Sequence, residues 1–337
     1  MTRVLVPAHI DPAGPALGGQ VHTVSGETMG TTWSVRFVGP PGADTAACTG
    51  RIAARLRALV AALSHWDAES ELSRFNRAAA GSWHAVSPDL HAVVADGLAV
   101  ARASGGAFDP TAGALVNRWG FGATGRHDQP GFVPPTPHEA AAARALGGWT
   151  RLGVPPPAPQ LRQPGGMALD LSGIAKGHPV DVLVDLLRDE GVRDLLVEVG
   201  GELRGLGVKP DGQPWWTAIE RPPGPSADWP EVRVALHGLA VATSGDYRRH
   251  FDAHGVRVAH TVDPRDGQPV APGTVSCSVV HARCTLADAW ATALTVLGPD
   301  VGRAVADREG IAALWWLRDA DGRTGERCTR AFEDLLS

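Results

Sequence analysis

Four short apolar runs follow one another in the second half of the chain: LLVEV at 195–199, WTAIE at 216–220, VRVAL at 232–236 and LAVAT at 239–243. Each is rich in β-branched, leucine or aromatic residues and is bounded by glycine- or proline-containing turns, a pattern that predicts strands. No helical run of 10–15 residues separates them. Strand therefore follows strand, which predicts an α+β fold rather than the strict alternation of a doubly wound sheet.

Working outward, 174–188 has helical spacing and ends near Gly191, while 285–297 and 301–307 read as closing helices before a last strand at 311–317. Upstream, 21–24 and 33–38 read as an entry strand pair around the turn MGTT, and 45–63 and 90–103 as helices. The second of these is preceded by Ser87 and stopped at Gly105 and Gly106. Prolines punctuate 130–159 around a short helix at 138–146, so that stretch reads as a surface excursion. Residues 1–20 are rich in Gly, Pro and Ala without periodicity and read as a flexible tail, leaving 21–337 as one folded unit.

The formal net charge of −5 over 337 residues is unclustered, which speaks against nucleic acid or an anionic membrane surface as partner. Basic charge is almost all arginine; the only lysines are Lys176 and Lys209. Cys48, Cys277, Cys284 and Cys328 form no C-x-x-C pair and no metal-ligand spacing. The start of the chain has no secretory apolar stretch of ~7–15 residues, so cytoplasm is the expected compartment, and no run of ~18 apolar residues predicts a transmembrane segment.

Two further stretches carry chemistry. In LDLSGIAKG (169–177) the carboxylate of Asp170 sits between leucines, where a buried acid needs a partner. The exceptional lysine of the same stretch, Lys176, is a compact charge suited to a phosphate. In LADAWATAL (286–294), Asp288 and Thr292 are one helical turn apart, so their oxygens share a face that one small cation could bridge.

Seven stretches in order resemble the motif set of the FAD:protein FMN transferase (ApbE) family: 28–37 TMGTTWSVRF, 64–76 SHWDAESELSRFN, 105–122 GGAFDPTAGALVNRWGFG, 169–177, 195–205 LLVEVGGELRG, 243–265 TSGDYRRHFDAHGVRVAHTVDPR and 286–294. The resemblance implies a T-fold-like α+β architecture with a flavin-nucleotide cleft. It also implies attack by a Ser or Thr hydroxyl of an acceptor protein on the FMN phosphorus of FAD, with release of AMP. Magnesium or manganese would be bound at Gly173, Asp288 and Thr292, the first through its carbonyl. FAD would be held at Met29, Trp66, Ala107, Phe108, Asp109, Asp170, Lys176 and Val262. Of the neighbouring histidines His250, His254 and His260, the last stands where the family has its functional histidine, and it could take the hydroxyl proton. Asp263 could orient it or end the strand.

Glu202 departs from the aspartate frequent after the paired glycines, and His178 and Pro179 from the usual helix start. The family modifies an Asp-x-x-Ser/Thr-Gly-Ala-Thr type of segment, and none occurs in this chain. The same residues would serve an FAD hydrolase giving FMN and AMP, or a flavin-binding protein without catalysis, although the latter needs neither base nor metal.

Overall fold

The computed structural model describes residues 2–7, 10, 18–154, 158–222, 230–245, 249–253, 255–271, 273–319 and 321–336. Its strands are β1 (Thr2–Leu5), β2 (Gln20–Thr28), β3 (Thr31–Gly39), β4 (Trp83–Ala85), β5 (Gln160–Arg162), β6 (Leu195–Val199), β7 (Glu202–Leu206), β8 (Trp215–Ala218), β9 (Glu231–Leu236), β10 (Leu239–Gly245), β11 (His250–Ala253), β12 (Val256–Ala259), β13 (Thr274–His281), β14 (Ala312–Arg318) and β15 (Thr324–Cys328). Its helices are α1 (Thr45–Leu63), α2 (Glu71–Asn76), α3 (Pro88–Ala103), α4 (Gly113–Arg118), α5 (Pro137–Leu146), α6 (Gly177–Asp189), α7 (Cys284–Glu309) and α8 (Arg330–Glu333).

Eight strands form one antiparallel sheet in the order β15-β14-β13-β10-β7-β6-β3-β2. The α+β expectation is met. Period-two alternation sends Leu195, Val197 and Val199 of β6 into a core shared with Ile52, Leu56, Leu183 and Leu294 of the helices. Leu196 faces the other way, toward Trp215, Val232, Val234 and Leu236 of a three-stranded sheet ordered β1-β9-β8. The large sheet is thus covered on both faces. That explains the unbroken apolar run in β14, where Ala313 and Trp315 enter the first core and Leu314 and Trp316 the second.

Local signals set the helix ends. Asp44 accepts the amide of Ala47 at 2.9 Å to start α1, and Ser87 accepts that of Leu90 before Pro88 opens α3. Thr136 and Glu139 make a reciprocal capping box at α5. α7 breaks at Gly298 (φ 68°, ψ 175°) beside Pro299, which yields the two closing helical pieces expected.

Three expectations need correction. Residues 2–5 are not a loose tail: β1 pairs parallel with β9, and Leu5 is fully buried, a contribution of roughly 1.5–3 kcal/mol that helps hold this short strand. The strand at 311–317 is not the last, because β15 pairs with it and α8 follows. The helix expected from residue 174 starts at Gly177, which places Pro179 in its first turn, where a missing amide costs no helical bond. Among the described residues, no helix is long and apolar enough to cross a membrane.

Candidate functional site

A cavity of ≈ 330 Å³ opens where α6, α7, the β6–β7 turn, the end of β10 and the residues after β12 converge. Ten of the twelve residues expected to carry function line it: Ala107, Phe108, Asp109, Asp170, Gly173, Lys176, His260, Val262, Asp288 and Thr292. Met29 and Trp66 do not. Met29 occupies the β2–β3 turn at φ 51°, the sole non-glycine residue with positive φ among those described. Trp66 follows α1 and is half exposed beneath the Arg126 guanidinium, 5.5 Å from its ring centroid.

At the helical end, Asp288 is 4 % exposed. Its Oδ2 accepts the amides of Lys176 (3.2 Å) and Gly177 (2.9 Å), the first donors of α6. Oδ1 has no hydrogen bond among the described residues, and neither does Thr292 Oγ1 one turn on. Thr295 differs, since its hydroxyl donates back to the Ala291 carbonyl at 2.8 Å. Gly173 abuts this pair so closely that a Cβ there would lie 2.7 Å from Thr292 Oγ1. Burial raises the Asp288 carboxyl above its ordinary range, with Lys176 opposing.

Lys176 donates through Nζ to Glu202 Oε1. Withdrawal from water works against its charge, but Asp288 and Glu202 together raise its pKa above the usual lysine value. Glu202, like Arg249, is among the lining residues that sequence reasoning did not assign to the site. It is 2 % exposed, its Oε2 has no partner, and burial pushes its carboxyl up to about 7 against the pull of Lys176. The available signal was the isolated lysine, which needs a counter-ion when it leaves water.

Asp170 is half-buried, not sealed in the core as its leucine neighbours suggested. Its Oδ1 accepts the amide of Ser172 at 2.7 Å in a tight turn, and its own amide reaches the Pro110 carbonyl. Asp109 is engaged in shaping its loop: Oδ1 accepts from the Thr111 amide and hydroxyl, and Oδ2 from the Trp149 amide at 3.2 Å. Burial raises its carboxyl while the Thr111 bonds oppose.

At the opposite end stands His260, directly after β12. Its Nδ1 lies 3.0 Å from the Arg249 carbonyl, and its amide also donates to that oxygen at 3.2 Å. Since a carbonyl only accepts, Nδ1 carries the proton and Nε2 is left with a lone pair. Burial, seconded by the Arg249 charge, pulls the imidazole down to about 4 and keeps it neutral near pH 7. Asp263 does not orient the ring; it pairs with Arg265 at 2.6 Å and accepts that residue's amide. His250 takes a bond from Arg257, and His254 lies outside the described residues.

No group of three or more His, Cys, Asp or Glu suited to a metal occurs among the described residues. One carboxylate, one hydroxyl and one carbonyl make a sparse oxygen set, which fits Mg²⁺ because that ion keeps waters and takes further oxygens from substrate phosphates. The uncommitted Oδ1 of Asp288, the unpaired Thr292 hydroxyl and the missing Cβ at Gly173 are consistent with such a site.

The ApbE family model matches residues 29–315. The chain is 39 % identical over 321 residues to the FAD:protein FMN transferase of Vibrio cholerae, covering 94 % of this chain and 93 % of that one. It is 34 % identical to the Klebsiella pneumoniae protein of the same name, covering 92 % and 88 %. Among solved structures it is similar to the apo form of the Pseudomonas stutzeri flavinyl transferase ApbE, with a TM-score of 0.85, 37 % identity and coverage of 94 % and 97 %.

Proposed function

The chain belongs to the ApbE family, and from that premise we propose that it transfers the FMN half of FAD to a Ser or Thr hydroxyl of an acceptor protein, releasing AMP. What supports this reading most is that a neutral histidine with a spare Nε2 and the Asp288–Thr292 pair with spare oxygens line the same cavity. A pure flavin carrier needs neither.

In this reading the hydroxyl oxygen of the acceptor forms a bond to the FMN phosphorus while the bond from that phosphorus to the AMP oxygen breaks. His260 Nε2 takes the hydroxyl proton, and AMP leaves with the electron pair. Lys176 meets the diphosphate, held at the start of α6 by Glu202. Asp288, Thr292 and the Gly173 carbonyl would hold a divalent cation, which when bound supplies charge neutralisation at the diphosphate. Phe108 and Val262 give apolar walls that exclude water from the reacting phosphorus.

Incubation of candidate acceptors with FAD and Mg²⁺, followed by intact-mass measurement, tests the proposal. A gain of one FMN on a Ser or Thr is expected. Conversion of FAD to FMN and AMP, with no covalent product on any acceptor, would assign the site to hydrolysis instead.

A further inference from the structure

The N-termini of α6 and α7 cap one another. Neither helix is capped from its own sequence, since Lys176 and Arg283 occupy the two N-cap positions and neither side chain makes a capping bond. Asp288, near the start of α7, instead accepts the first amides of α6 through Oδ2. Asp181, near the start of α6, returns the arrangement. Its Oδ1 accepts the Cys284 amide at 2.9 Å, and its Oδ2 accepts the Thr285 amide at 2.9 Å and the Thr285 hydroxyl at 2.7 Å.

The crossing requires glycine at 177, where a Cβ would lie 2.2 Å from the Cys284 carbonyl oxygen and 2.9 Å from Asp288 Cβ. Arg204 of β7 completes the frame by donating to Asp181 Oδ1 at 2.8 Å. α6 is therefore tied to β7 twice, through Lys176–Glu202 and Asp181–Arg204. Asp181 is 6 % exposed and touches nothing in the cavity.

We propose that Asp181 is a positioning residue for the divalent-cation site. By fixing the first turn of α7 it sets where Asp288 leaves the helix, so that one carboxylate oxygen stays on the α6 amides and Oδ1 stays directed to the ion. The inference rests on the reading of Asp288 as a metal ligand. Partners that orient metal ligands typically change affinity by ~10–100-fold when lost. Flavin contacts at Phe108 and Val262 lie on other segments and do not depend on this turn.

The test is Mn²⁺ binding to the FAD-loaded protein, followed by electron paramagnetic resonance, in Asp181→Asn. The side chain keeps its shape, but its amide group now faces backbone donors. The Mn²⁺ Kd is expected to rise by ~10–100-fold, FAD affinity in EDTA to hold, and saturating Mn²⁺ to restore turnover. Asp44→Ala, which removes only the α1 cap, controls for general loss of stability and should leave the Mn²⁺ Kd alone. A wild-type Mn²⁺ Kd in Asp181→Asn overturns the proposal. Should that variant not fold, Thr285→Val removes one donor of the frame and decides instead: an unchanged Kd overturns, a several-fold rise supports. Asp288→Asn separates the two levels. If it binds Mn²⁺ like wild type, the metal reading itself fails; if it loses the ion while Asp181→Asn does not, only the role of Asp181 fails.

Discussion

The two ends of the cavity are built by different physics. At the helical end, Asp288 stands on α7, Lys176 at the N-cap of α6 and Glu202 on β7, elements embedded in the main core; backbone amides fix the buried carboxylate of Asp288, and the buried carboxylate of Glu202 pairs with the half-exposed Lys176. At the other end, His260 follows a two-stranded sheet, β11-β12, that pairs with no further strand among the described residues. That hairpin rests on a small cluster of Leu115, Trp119, Phe121, Ala140, Val258 and Val262, and one carbonyl orients the imidazole. The charged end tolerates little movement, because any shift strands a buried ion. The histidine end is held by aromatic packing, so it can be perturbed without disturbing the phosphate end.

The strongest way to break this contrast is His260→Ala. With the helical end untouched, FAD affinity should hold while transfer falls by ~100–10,000-fold, the usual worth of general-base assistance. Loss of FAD binding in proportion to rate would make the histidine a ligand-positioning group. A pH profile sharpens the same point. Because burial pulls the folded imidazole down to about 4, the neutral base persists well below the ordinary histidine range, and the acid limb of kcat/KM for FAD should fall near pH 4. The unfolded chain takes up that proton first as pH drops through 6.5, so stability present above 6.5 is lost progressively down to about 4. An acid limb at 6.5 would show that His260 is solvated in the working enzyme.

Asp288→Asn attacks the opposite end. The amide keeps nearly the same volume but is a poor ligand for a hard cation, and transfer at ordinary Mg²⁺ should fall on the order of 100-fold, as when a charge-stabilising group is removed. Thr292→Ala should show a milder version. Full activity of Asp288→Asn at limiting Mg²⁺ would remove the metal from this end.

Much of this division was readable in the sequence, but not all for the same reason. The span of α1, 45–63, follows from its periodicity and from Asp44, and α3 from Ser87 and Pro88, because caps and periods are local. Ten cavity residues followed from motif resemblance. β13 went unread although Val275, Cys277 and Val279 alternate with Ser276 and Ser278: the pattern is that of a strand with one wet face, whereas both serines are fully buried in the fold. β1 was hidden because Leu5 finds its core through a partner more than two hundred residues away. Glu202 stood out only as a departure from a motif and Asp181 carried no local signal, because it is the fold that brings Lys176 and the start of α7 against them.

Phe251→Ala probes how the hairpin is held. The ring meets Phe121 at 5.3 Å, His127 in a stack at 5.0 Å and Phe132 edge-on at 5.4 Å, so it joins β11 to the segment 121–132. Its loss should lower the transfer rate by ~10–100-fold through misplacement of His260, with the main thermal transition and the Mg²⁺ requirement little changed. A large drop in the main transition would mean that the hairpin is continuous with the core.

Trp66 belongs to neither end and should give the smallest effect. It is half exposed in the free protein, outside the cavity, with Arg126 over its ring and His65 beside it. Its large apolar face is unused by the core. If it closes on a flavin or adenine ring when FAD arrives, the gain is that of one aromatic stack, about 1 kcal/mol or roughly fivefold in affinity. Trp66→Ala should therefore raise the FAD Kd about fivefold and leave turnover at saturating FAD unchanged, since neither His260 nor the Asp288–Thr292 pair is touched. Tryptophan fluorescence checks the geometry independently: FAD should quench the wild type more deeply than Trp66→Phe, which keeps a ring but removes one reporter. Equal quenching together with an unchanged Kd would place Trp66 outside the ligand's reach, and FAD binding would then depend on the two ends of the cavity alone.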